Sequence, residues 1–87
     1  MDNKKIYAKS FEKYGQNRQL QIAMEEMAEL TQAISKYLRG KEHNIEEEVA
    51  DVEIMLEQIK EMDFISIKNI EDIKKEKLQK YERMLFC

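Results

Sequence analysis

The chain has 87 residues, enough for one domain spanning 1–87, and its lack of Pro, its two Gly and its abundant Glu, Lys, Leu, Ile and Met are typical of an all-helical protein. The net charge of −3, without an uninterrupted basic stripe, argues against nucleic acid as a partner, and no apolar run approaches the roughly 18 residues that cross a bilayer. With no apolar signal segment and a single cysteine, Cys87, the sequence indicates a cytoplasmic protein that does not associate with a membrane.

Apolar residues recur at helical spacing in four segments, which predicts four helices and no strand. The first helix is predicted over about Asn3–Tyr14 and ends at Gly15, a typical C-cap. The second is predicted from about Asn17 to Arg39 and stops at Gly40. Its predicted buried stripe consists of Leu20, Ala23, Met27, Leu30, Ile34 and Leu38.

A short loop, GKEHN, leads to a third helix predicted over about Ile45–Met62, with Asn44 as its N-cap and acidic residues in its first turn. This helix is apolar around much of its circumference, so it favours burial on more than one side. In a chain of this size that predicts a second subunit. The main apolar stripe consists of Ile45, Val49, Val52, Leu56 and Ile59, and Ala50, Ile54 and Met55 lie beside it.

A fourth helix is predicted over about Ile67–Leu85, with Ser66 as its cap. Its predicted buried stripe consists of Ile70, Ile73, Leu78, Tyr81 and Leu85, with Lys77 at the border. Four helices with short connections predict a small antiparallel four-helix bundle. Because one such bundle is marginally stable, we expect a homo-oligomer, a dimer or a tetramer, to complete it.

Five acidic residues mark the second and third helices: Glu25, Glu26 and Glu29 in EEMAE, then Glu48 and Asp51 in EVAD. The pairs 26/29 and 48/51 are spaced i to i+3, so each pair lies on one helical face beside apolar residues. At about 1.5 Å of rise per residue, the two pairs come level across the turn near Gly40. Carboxylates directed at one another repel unless a cation lies between them, and hard divalent ions take such oxygen ligands.

An ordinary interpretation of the same residues stays open. The chain has 18 acidic residues, which produce close pairs by chance, and a single pair of this kind usually faces solvent. Two such pairs on adjacent antiparallel helices, each at the edge of an apolar stripe, favour a shared metal site over solvated carboxylates.

With these motifs, EEMAEL followed by EEEVADVEIML, the chain resembles the MazG-like all-α nucleotide pyrophosphohydrolases and their EExxE and ExxD signature. The resemblance implies a MazG-like fold and Mg²⁺-dependent cleavage of nucleoside triphosphates to monophosphate and pyrophosphate, with Mn²⁺ as a substitute. It implies that Glu26, Glu29, Glu48 and Asp51 are the metal ligands. Glu25 and Glu29 are the candidate catalytic carboxylates, Glu25 as one that orients water.

A triphosphate also requires basic side chains near the metal. The candidates are Lys36 near the central turn and Lys77, Lys80 and Arg83 on the last helix, while Gln19 is a candidate hydrogen-bonding partner of the base or sugar. Any single one of these lysines is also typical of an ordinary solvated cation that pairs with a nearby glutamate and contributes only about 0–1 kcal/mol.

The alternative function is a non-catalytic helical interaction module, or a nucleotide- or metal-binding module without turnover. The absence of Trp keeps this alternative open, because some members of the family that the chain resembles stack the base on Trp. The preferred base, the sugar and the number of metal ions stay open as well.

Overall fold

The computed structural model describes residues 1–87 and contains four helices and no strand, which confirms the all-helical prediction. Helix α1 spans Asn3–Tyr14, α2 spans Gln16–Leu38, α3 spans Ile45–Lys60 and α4 spans Ile67–Phe86. The boundaries agree closely with the predicted ones. The largest difference is the end of α3, predicted at Met62 and observed at Lys60.

Local capping explains where most of the helices begin and end. Gly15 has a φ of 85°, in the left-handed region that glycine tolerates, and its N–H donates to the carbonyl of Phe11 as α1 ends. The Ser66 hydroxyl accepts a hydrogen bond of 3.1 Å from the Asn69 N–H and caps α4, as predicted. Asp2 caps α1 in the same way by accepting from the Lys4 N–H.

Helices α2 and α3 form the central packed pair, which we call the α2/α3 hairpin. The short segment 39–44 joins them, so they run antiparallel. Helix α1 packs against α2 and also reaches α3, because the Tyr7 hydroxyl donates to the Glu57 carboxylate and the Ser10 hydroxyl donates to Gln58 Oε1 over 3.2 Å. The packed part of the chain is therefore α1 to α3.

The buried face of the hairpin coincides only in part with the apolar stripes that the sequence predicts. On α2 the buried residues are Gln19, Ala23 and Ala33, and on α3 they are Glu48, Met55 and Gln58. The predicted stripes lie largely outside this contact and are exposed at Met27, Ile34, Leu38, Val49 and Leu56. The prediction is confirmed at Ala23, which is buried, and is wrong at these five exposed residues, because small alanine side chains let two helices approach more closely than bulky ones do.

Helix α4 does not pack along the other three helices. None of its residues is buried, and only Ile70 is half-buried. Ile73 is 52% exposed, Leu78 57% and Leu85 60%, so the prediction that they are buried is wrong for a single chain. One chain thus forms a three-helix core and an exposed fourth helix, not a closed antiparallel four-helix bundle. None of the four helices is both long enough and apolar enough to cross a membrane.

Candidate metal centre

Three of the predicted ligands converge inside the α2/α3 hairpin. Glu26 and Glu29 project from α2 and Glu48 projects from α3, and one carboxylate oxygen of each lies within 4.8 Å of the other two. We call these three residues the carboxylate cluster. Glu26 and Glu29 lie 12 and 9 residues before the end of α2, and Glu48 lies 3 residues after the start of α3, so the segment 39–44 spans the rest of the distance along the hairpin.

The cluster extends from the protein interior to the surface. Glu48 is only 7% exposed, Glu26 is half-buried and Glu29 is exposed. The Oε2 atoms of Glu26 and Glu48 are shielded from solvent and have no hydrogen-bond partner. Buried polar atoms of native proteins almost always have a partner, and an unpaired buried carboxylate is costly. A cation held between these residues would give both oxygens a partner.

No basic side chain compensates the cluster. The three ion pairs of the chain join Lys9 to Glu12, Arg18 to Glu25 and Lys68 to Asp72, and none includes a cluster residue. The negative charge of the cluster is thus not neutralised by the protein itself.

Burial and mutual repulsion shift the protonation of the two inner carboxyls. Burial is the main cause that raises the pKa of Glu26, and the negative charges of Glu29, Asp51 and Glu48 raise it further. Burial also raises the pKa of Glu48, followed by the charge of Glu29, while a hydrogen bond from Asn44 opposes this rise. Asp51 is half-buried one turn after Glu48 and influences both pKa values, so it borders the cluster.

Asn44 belongs to the site although the sequence assigned it only a capping role. It occupies the N-cap position of α3, but its side chain makes no capping hydrogen bond. Its amide instead donates to Glu48 Oε1 over 2.9 Å and to Glu47 Oε2 over 3.2 Å. Asn44 therefore orients the most buried carboxylate of the cluster. The signal in the sequence was its i to i+4 spacing from Glu48.

The donor set fits a hard divalent cation. It consists of carboxylate oxygens from two helices, with Glu29 on the open side, and Mg²⁺, Mn²⁺ and Ca²⁺ are ions that accept such ligands. A cluster without His or Cys is atypical of a structural zinc site. The unpaired buried oxygens of Glu26 and Glu48 are the structural evidence for this fit.

The structure does not bring the remaining candidates into the cluster. Glu25 is exposed and pairs with Arg18 over 4.0 Å. Gln19 is buried on the α2 face that also carries Glu26, about two turns earlier. Lys36 is exposed in the last turn of α2.

The basic candidates on α4 lie apart from the carboxylates in a single chain. Lys77, Lys80 and Arg83 line an exposed groove formed by α4 residues only. No basic side chain contributes to the pKa shift of Glu26 or Glu48, which agrees with this separation. A single chain therefore presents carboxylates and phosphate-binding candidates on different surfaces.

Comparison with known proteins identified no relative of the chain. No protein-family model matches the chain, and no curated protein or solved structure is significantly similar to it. What defines the protein is thus its own geometry: an all-helical chain with a partly buried carboxylate cluster in its central hairpin.

Proposed function

We propose that the chain is a Mg²⁺-dependent nucleoside triphosphate pyrophosphohydrolase that releases a nucleoside monophosphate and pyrophosphate. The observation that carries this proposal is that Glu26, Glu29 and Glu48 converge and leave two buried oxygens unpaired. These residues belong to the motifs that resemble the MazG-like signature. The proposed role is housekeeping of ribonucleotide or deoxyribonucleotide pools. We place it in the cytoplasm, because one cysteine provides no framework of disulfides within the chain.

The proposed role of each cluster residue follows from how deeply it is buried. Glu26 and Glu48 hold the cation from inside the hairpin, and Asn44 fixes the Glu48 carboxylate. Glu29 is the exposed member and faces the side from which a triphosphate arrives. Asp51 completes the ligand set. A divalent cation at such a site neutralises phosphate oxygens and activates water.

Outside the cluster, Glu25 is assigned to orienting the attacking water, as the resemblance implies. Lys77, Lys80 and Arg83 are assigned to the phosphates. Because α4 does not pack on its own hairpin, we propose that these side chains act within a homo-oligomer, a dimer or a tetramer. Lys36 and Gln19 are further candidates for the phosphates and for the base or sugar.

A second candidate is a non-catalytic interaction module, or a nucleotide- or metal-binding module without turnover. The observation that favours it is the large exposed apolar surface together with a carboxylate cluster that has no basic neighbour in one chain. The two candidates differ in turnover, and a module that binds only other proteins also differs in its response to metal.

The test is a chromatographic screen of ribonucleoside and deoxyribonucleoside triphosphates with Mg²⁺ and with EDTA. We expect the wild-type chain to release monophosphate and pyrophosphate only with Mg²⁺, and Glu29→Gln to lose this activity. Glu46→Gln is the matched control, since Glu46 is exposed in the first turn of α3 and makes no side-chain contact with the cluster.

Thermal unfolding with and without Mg²⁺ accompanies the screen. An ion that binds only the folded chain raises its melting temperature by mass action. Stabilisation without hydrolysis of any triphosphate would identify a binding module. The absence of both stabilisation and hydrolysis would contradict the metal centre as well as the enzyme.

A further inference from the structure

The single chain exposes more surface than a compact protein of its mass. Its accessible surface is 7266 Å², whereas a compact 10.5 kDa chain exposes about 5,400 Å². Its radius of gyration is 16.0 Å, against about 12 Å for a compact chain of this length. The excess of about 1,900 Å² is larger than the roughly 800 Å² that each partner buries in a standard interface.

Helix α4, of which no residue is buried, is amphipathic and basic. It carries six basic and four acidic side chains and hence a charge of +2, while the remainder of the chain carries −5 because the whole carries −3. An apolar row with lysines at its edge forms an open groove along the helix. We call it the α4 apolar face, and it consists of Ile70, Ile73, Leu78 and Tyr81 with Lys74 and Lys77.

A cleft between α1 and α3 has the complementary character. Its floor is apolar and only partly covered, with Ile6 48% and Ile54 46% exposed. Its charged side chains are Glu53 and Glu57, and no basic residue lines it. We call this surface the α1/α3 cleft, and it consists of Asn3, Ile6, Tyr7, Ala50, Glu53, Ile54 and Glu57.

We propose that α4 of one copy docks with its apolar face in the α1/α3 cleft of a second copy, so that two chains exchange their C-terminal helices. Apolar side chains meet apolar side chains, and Lys74 and Lys77 meet Glu53 and Glu57. A mutual exchange satisfies two-fold symmetry, because each chain supplies one arm and one cleft.

This inference refines the homo-oligomer of the proposed function, with Lys77 in the contact between copies and Lys80 and Arg83 left for the phosphates, but it depends on neither the metal nor the reaction. Two charge-reversed chains test it: an arm variant with Lys74→Glu and Lys77→Glu, and a cleft variant with Glu53→Lys. By sedimentation at micromolar concentration we expect a wild-type dimer. Each variant alone dissociates, with the dimer dissociation constant raised about tenfold or more by like charges.

The mixture of the two variants is the decisive sample. In a mixed pair the wild-type arm meets the wild-type cleft, and the charge-reversed arm meets the cleft in which Glu53→Lys has placed an opposite charge. We therefore expect the dimer to return in the mixture although each component is monomeric. Lys75→Glu is the matched control, since Lys75 lies on α4 outside the apolar face, and it should leave the dimer intact. Circular dichroism verifies that every variant remains helical.

An uncharged substitution tests the same contact in case the charge-reversed chains do not fold. Ile73 is more than half exposed in the single chain, so Ile73→Ala leaves the fold of one copy intact and should still raise the dimer dissociation constant about tenfold. A dimer that resists Ile73→Ala and both charge reversals would overturn the docking mode and leave the oligomer standing.

A monomeric wild-type chain would overturn the exchange and the proposed oligomer together. If such a monomer has the small hydrodynamic radius of a compact chain, α4 folds back on its own cleft. If it sediments with phosphatidylcholine vesicles that contain phosphatidylserine, the basic amphipathic helix α4 docks on a membrane surface instead.

Discussion

The α2/α3 hairpin and α4 use their side chains in opposite ways. The hairpin buries polar groups, among them Glu26 and Glu48, and leaves apolar residues such as Ile34 and Leu56 exposed. Helix α4 has an apolar face that is exposed except at the half-buried Ile70. The difference indicates that the interior of the hairpin is polar, whereas many apolar side chains of the single chain stay exposed.

This arrangement has a cost for a single chain. Buried carboxylates with raised pKa values oppose folding at neutral pH, and the apolar surface that normally offsets such a cost is exposed. The proposed cation in the cluster would relieve the first part of this cost, and the proposed second copy on the apolar surfaces would relieve the other. The predictions below separate the two contributions.

The largest effect is expected from Glu48→Gln, which removes the most buried charge of the hairpin. We expect the rate of hydrolysis to fall by about 100-fold or more, because the cation loses its most buried ligand, which Asn44 orients. In EDTA the same variant should melt at a higher temperature than the wild-type chain, because its neutral amide no longer repels Glu29 and Asp51. Pyrophosphate release and thermal unfolding measure the two effects.

Glu46→Gln is again the control and should change neither measurement. A Glu48→Gln chain that keeps full activity, or that melts lower in EDTA, would mean that Glu48 has an ordinary structural role.

The second prediction concerns Asn44→Ala, which leaves every carboxylate in place. The Glu48 carboxylate loses the hydrogen bond that orients it, so we expect Mg²⁺ affinity to fall about 10- to 100-fold. Isothermal titration with Mg²⁺ measures this change. His43→Ala, which removes a neighbouring side chain that bonds to the Ile45 N–H and not to the cluster, is the control. An equal loss in both variants would indicate a general defect at the start of α3.

The helices, most of their ends and the approach of the carboxylates could be predicted from the sequence. Helix existence follows from apolar periodicity, and ends such as Gly15 and Ser66 follow from local capping chemistry that needs no tertiary information. The approach of Glu29 to Glu48 follows from counting helical rise from the turn near Gly40. Each of these inferences depends on neighbours within one or two helices.

The choice of the buried face depends on packing and was not accessible in this way. The predicted stripes contain large apolar side chains that are exposed, such as Met27 and Leu56, whereas Ala33, Met55 and several polar residues are buried. Periodicity also assigned α4 a buried stripe without revealing that no residue of α4 is buried in a single chain. The role of Asn44 escaped because capping and carboxylate orientation have the same sequence signature at the start of a helix.

The third prediction concerns the dependence of the melting temperature on pH, which reports on the carboxylates inside the hairpin. Both Glu26 and Glu48 have a folded-state pKa above the ordinary 4.5, so the folded chain binds protons more tightly than the unfolded chain. Their stabilising contribution is fully present below the ordinary value and is lost as pH rises through the raised one. In EDTA we therefore expect the melting temperature to be higher at about pH 5 than at about pH 7.

Asp63 does not reverse this trend, because its pKa is lowered from 3.8 and its contribution is lost only in more acidic solution. A Glu26→Gln, Glu48→Gln double variant should lose most of this dependence, and saturating Mg²⁺ should flatten it, since the metal binds the deprotonated carboxylates. An unchanged slope in the double variant would assign the pH dependence to other groups.

The smallest effect is expected at the start of α4, where Ser66→Ala removes the cap of an unpacked helix. A helix without tertiary contacts depends on its own ends, and loss of a serine N-cap costs about 1 kcal/mol. Amide hydrogen exchange should become faster in the first turns of α4 and remain unchanged in α2 and α3. Ser35→Ala, an exposed change inside α2, is the control. Because docking of α4 on a second copy would protect the same amides, the acceleration should be largest at concentrations where the chain is monomeric. Equal acceleration across all helices would show that α4 unfolds together with the hairpin and not as a separate unit.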